Sequence, residues 1–139
     1  MCLYTKQICP IKARKRIIVY KVVKRYPHKT GKQKYKTPCV KEPIQLYHEY
    51  TVDGPTKITQ STANYFVVEN GYIHCCTSLD SAKNWLYKNH HLFPHNKKQP
   101  FHWGIIRCWI EPGTLYYKNY DGTQIATKKL STRDMQLKG

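Results

Sequence analysis

Arg16-Ile17-Ile18-Val19-Tyr20-Lys21-Val22-Val23 places five β-branched residues and a tyrosine in eight positions. Side chains branched at Cβ lose χ1 freedom in a helix and pack well on a pleated sheet, so this run predicts a central β-strand. Trp103 to Ile110 has the same content and predicts another. Between them, Leu79, Ala82 and Leu86 recur at the i, i+3, i+7 spacing of one helix face, flanked by Trp85, with Thr77 and Ser78 as hydroxyl caps. The expectation is an α+β fold. A small, mostly antiparallel sheet carries one main packed helix at about 78–88, and the N-terminal region is a basic loop. The expected core is Ile18, Tyr20, Val22, Phe66, Val68, Ile73, Ile106 and Ile110, covered by Leu79, Ala82 and Leu86.

Turn chemistry supplies the connections. Leu46 to Val52 reads as an extended edge segment ending in Asp53-Gly54-Pro55. Asn70-Gly71 suits the positive φ angles of a two-residue hairpin, which predicts pairing of 64–69 with 72–76. Glu111-Pro112-Gly113 predicts a second hairpin, joining Trp103–Ile110 to Thr114–Lys118, and Asp121-Gly122 turns the chain into Thr123 to Leu130. Residues 24–43, with Pro27, Gly31, Pro38 and Pro43 among lysines, read as a solvated loop, as does His90 to Pro100. Residues 1–139 are expected to form one domain, with a basic segment at 1–41 and a polar, frayed tail at 131–139.

The net charge of +16 is unevenly distributed. Residues 1–41 hold thirteen Lys and Arg and no acid, while the remainder holds eleven bases and eight acids. A solubilising surface interleaves both signs, so a one-sign segment points to an anionic partner. Lys12, Arg14, Lys15, Arg16, Lys24, Arg25, Lys29, Lys32, Lys34 and Lys36 would neutralise phosphates, and Tyr26 and Tyr35 could stack on bases. The first functional expectation is therefore a binding protein for nucleic acid or a phosphate-rich nucleotide. An acidic protein is the alternative partner that the same charge would steer.

No apolar run reaches the roughly 18 residues a membrane helix needs, and no apolar h-region precedes the first lysines, so a cytoplasmic location is expected. The six cysteines are then expected as free thiols, about half of them packed as small apolar side chains. No C-x2-C pair occurs, and the adjacent Cys75 and Cys76 point to opposite faces of a strand, so neither a metal site nor a cofactor is expected. A thiolate nucleophile would pair Cys75 or Cys76 with His48, His74 or His102.

Three segments carry a resemblance. Met1-Cys2-Leu3-Tyr4-Thr5-Lys6, the stretch from Gly71 through His74-Cys75-Cys76-Thr77-Ser78 to Lys83, and Cys108 to Tyr117 together resemble uncharacterised small proteins of gut Bacteroidales and their phages. That resemblance implies an intracellular, phage-encoded protein that could dock on an acidic host or virion protein, and it implies no activity. A more distant likeness is to ADP-ribosyltransferase-type domains. It would put Arg16 or Tyr20 on the early strand, Thr77-Ser78 at the strand-to-helix passage and Glu111 or Gln124 on the late strand. The chain has no Glu-x-Glu, and Glu111 precedes Pro112. The enzymatic alternative is a nucleotide-handling activity centred between Arg16, His74 and Ser78.

Overall fold

A computed structural model of the protein describes residues 3–7, 9–27, 33–36, 49–51, 58–62, 65–68, 73–92 and 101–132. In chain order the elements are β1 (Leu3–Thr5), β2 (Ile11–Lys12), β3 (Ile17–Pro27), β4 (Gln33–Lys36), β5 (Glu49–Thr51), β6 (Ile58–Thr62), β7 (Tyr65–Val68) and β8 (Ile73–Cys76). There follow α1 (Leu79–Asn89), a single 3-10 turn at His90–Leu92, β9 (His102–Ile110), β10 (Leu115–Lys118), β11 (Gln124–Thr127) and β12 (Lys129–Thr132). The fold is mostly antiparallel sheet with one α-helix among the described residues.

The large sheet runs β2-β10-β11-β8-β3-β9-β12-β5, with β4 also paired to β3, and a small sheet runs β1-β7-β6. The β-branched run forms the middle of β3, which pairs with β9 from Ile17 opposite Ile110 to Arg25 opposite His102. Two connections force the large sheet to curl. β9 and β10 are separated by β3, β8 and β11, four strand steps or about 19 Å in a flat sheet. Yet a single turn joins them, closed by Thr114 N–H donating to the Glu111 carbonyl at 3.1 Å, and such a turn spans less than about 7 Å. Pro112 suits its second position, and Gly113 takes the positive φ of 92° required at the third. β11 and β12 likewise lie four steps apart with only Lys128 between them. The sheet is therefore an open barrel.

Strand alternation sorts the side chains between the barrel's two faces. Val19, Val23, Ile73, Cys75, Ile106, Cys108, Ile110, Ile125 and Leu130 fill the interior. On the outer face Val22 and Cys76 pack beneath Ala82 and Trp85 of α1, with Tyr20, Leu86, Trp103 and Ile105 at the margin. Leu3 of the small sheet covers Tyr117 and Ala126. Ser78 caps α1, its Oγ accepting from Ser81 N–H at 3.0 Å.

Several expectations are corrected. β7 pairs with β1 and β6, whereas β8 pairs with β11 and β3, so the strands flanking Asn70-Gly71 do not pair with each other. β8 buries Ile73 and Cys75 on one face and Cys76 on the other, as a strand between two partners does. The expected hairpin of Trp103–Ile110 with Thr114–Lys118 is instead the barrel's corner turn. The basic loop is partly ladder, because β3 continues to Pro27 and pairs with β4, and lysines suit an edge strand such as β4. The polar tail starts later than residue 131: Ser131 and Thr132 are buried in β12, where Thr132 Oγ1 donates to the Arg107 carbonyl at 2.9 Å. The helix packs its expected face at Ala82 and Leu86 but not at Leu79. Trp85 is buried and Leu79 is 40% exposed, because α1 meets the sheet through Ala82 and Trp85. Ile18 and Tyr20 are half-buried on the outer face, and the side chains of Phe66 and Val68 lie outside the described residues.

Candidate polyanion-binding face

The short segment between β2 and β3 turns around Ala13. Ala13 is buried, its N–H donates to the Thr114 carbonyl at 2.9 Å, and its own carbonyl accepts from Gly113 N–H at 2.8 Å. With that residue pinned, the flanking Lys12, Arg14, Lys15 and Arg16 are all exposed. Arg16 is held in place. Its Nη2 lies 3.3 Å from Glu111 Oε1, and its guanidinium sits 4.7 Å from the centroid of the Trp109 ring. The same Glu111 oxygen accepts a hydrogen bond from the Trp109 indole N–H.

Eight residues further along β3, about 26 Å at strand rise, a second cationic group begins. The Lys24 ammonium lies 4.9 Å from the Phe101 ring centroid and 5.8 Å from that of Trp103, and the two rings meet edge to face. Arg25 Nη2 donates to the Trp103 carbonyl at 3.4 Å, and the side chain lies across Gly104, where a Cβ would meet its Nε at 2.5 Å. Register places Lys36 opposite Lys24, Tyr35 opposite Arg25 and Lys34 opposite Tyr26. Lys29 and Lys32 lie outside the described residues, as do the side chains of Tyr26, Lys34, Tyr35 and Lys36.

Thus the structure splits the sequence-continuous basic segment into a β2–β3 corner and a β3–β4 hairpin at opposite ends of one strand. Lys21 belongs to neither: it is buried, and its Nζ donates to the His74 carbonyl at 2.8 Å. The aromatic partners of both groups, Trp109 for Arg16 and Phe101 with Trp103 for Lys24, come from β9 or the residue before it and were not foreseen as site residues. The alternation along β9 carried the signal, since Trp103, Arg107 and Trp109 share one parity while Ile106, Cys108 and Ile110 hold the core.

The residues of the enzymatic alternative are not brought together. Ser78 is occupied as the helix cap, and its Oγ also bonds Ser81 Oγ at 2.8 Å. Arg16 is engaged with Glu111 and Trp109, four residues and about 13 Å along β3 from Tyr20, the position paired with Cys76 of β8. His74 is half-buried on β8. Burial pushes the Cys76 thiol up to about 11 and the Cys75 thiol further still, with Lys21 only partly offsetting it, so neither supplies a thiolate at neutral pH. Cys75 Sγ instead donates to the Ile125 carbonyl at 3.4 Å. Cys9, Cys75, Cys76 and Cys108 are free thiols, the last three buried. Among the described residues no helix is long and apolar enough to cross a membrane. Compared with protein-family models, curated proteins and solved structures, the chain matches none.

Proposed function

We propose that the protein binds a polyanion of the nucleic-acid type, using the β2–β3 corner as its principal contact and the β3–β4 hairpin as a second. The observation that carries this reading is the corner itself. Lys12, Arg14 and Lys15 stand exposed around the pinned Ala13 with no acidic partner among the described residues. Clustered cations repel one another, and a phosphate chain removes that penalty and releases counterions as it binds.

The test is a salt titration of binding to nucleic acid, with the triple variant Lys12→Glu, Arg14→Glu, Lys15→Glu beside the parent chain. Removing one cation from a phosphate lowers the slope of log K against log salt by about 0.9. The variant's slope is expected to be shallower by about two to three units, with its thermal transition kept, because all three residues are exposed. An affinity indifferent both to salt and to charge reversal sinks the reading.

A further inference from the structure

Arg16, Glu111 and Trp109 meet on the outer face of the barrel, the arginine and the glutamate from positions 95 residues apart in sequence. The ion pair does little for stability, because its side chains are 51% and 38% exposed and water screens pairs so wet. What it does is geometric. Glu111 Oε1 bonds both the guanidinium and the indole N–H, which ties the arginine to the tryptophan before any ligand arrives. A guanidinium is a flat, weakly hydrated cation, and a nucleobase can stack on its plane as it would on an aromatic ring. With its entropy already reduced by Glu111, Arg16 loses less on binding than a free surface arginine would.

The neighbours fit the same ligand. Arg14 and Lys15 precede the platform, and Arg107, exposed on β9, shares the face of Trp109 two residues away, about 7 Å at strand rise. Cations flanking a stacking surface are how proteins hold an unpaired strand, with phosphates on the charges and bases on the flat groups. A duplex offers only phosphates and groove edges to such a surface, because its bases are already stacked. We infer that the polyanion is a single-stranded nucleic acid, DNA or RNA, and that Arg16 on Trp109 is a base-stacking platform positioned by Glu111. This rests on the polyanion reading above.

The experiment compares fluorescence-anisotropy titrations of labelled oligo-dT and oligo-rU of about 15 nucleotides with a duplex of equal length and with competing inorganic polyphosphate, all at one salt concentration. The parent chain is expected to prefer an unpaired strand about tenfold or more, and the sugar preferred assigns DNA or RNA. Trp109→Ala is expected to weaken single-strand binding by about 10- to 100-fold, the range one base stack supplies, and to leave polyphosphate binding unchanged. Arg16→Lys keeps the charge at an exposed position and removes the plane, so it must lose the single-strand margin even if Trp109→Ala is destabilised. Equal affinity for strand, duplex and polyphosphate, or an Arg16→Lys variant that keeps the margin, overturns the platform and leaves the polyanion reading standing. Absence of binding to any of the ligands overturns both.

Discussion

At Asp121 one carboxylate oxygen accepts three hydrogen bonds, from Asn119 Nδ2 at 2.6 Å, Thr123 Oγ1 at 2.7 Å and Thr123 N–H at 3.0 Å. Burial alone would raise this carboxyl, but the donors outweigh it and hold it below its ordinary range. A carboxyl depressed in the folded state stabilises above its unfolded pKa, and that contribution is lost as pH falls through the lower folded value. Asp121→Ala is therefore expected to cost about 1 kcal/mol at neutral pH in urea unfolding, with the difference from the parent shrinking in acid. A difference that is constant with pH contradicts this. The cysteines give a second residue-scale prediction. Mass-spectrometric mapping after brief iodoacetamide treatment should find Cys9 alkylated and Cys75, Cys76 and Cys108 protected until denaturant is added. Cys75 reacting as fast as Cys9 would place β8 outside the core. The sequence foretold such packed thiols, because a strand without metal-ligand spacing leaves cysteine little else to be.

Among the elements, α1 depends on one cap and one large side chain. Ser78→Ala should cost about 1 kcal/mol and Trp85→Ala about 3–5 kcal/mol, read from denaturant midpoints at an unchanged slope. If Leu79→Ala proves the costlier of the two apolar substitutions, the helix presents the face that periodicity alone predicted. The hydroxyl cap was legible because it is a local hydrogen bond. The exposure of Leu79 was not, since the i, i+3, i+7 pattern fits more than one face and only the groove over Val22 and Cys76 selects between them. The same limit governs the turns. Asp121-Gly122 joins the adjacent strands β10 and β11, as read from sequence. Glu111-Pro112-Gly113, equally strong as a turn signal, instead joins strands four steps apart. Turn residues fix the local backbone path and say nothing about curvature further along the sheet. Gly113→Ala, at φ +92°, should destabilise by about 1–2 kcal/mol by straining the corner that closes the barrel.

For the whole molecule, the two short connections and the charge asymmetry have different origins and meet at one place. Closure brings the Glu111–Thr114 turn against Ala13, and so sets the basic β2–β3 corner beside Trp109 and Glu111. The cations could be read from sequence because composition is local. The platform could not, because Arg16 lies 95 residues from Glu111 and reaches it and Trp109 only through the β3–β9 ladder. The most direct test of the account is the salt dependence of single-strand binding, measured for the parent chain and for the Lys12→Glu, Arg14→Glu, Lys15→Glu variant. A polyanion-binding corner predicts a steep linear fall of log K with log salt in the parent and a slope shallower by about two to three units in the variant. A flat salt dependence in the parent, or identical slopes in both, contradicts it.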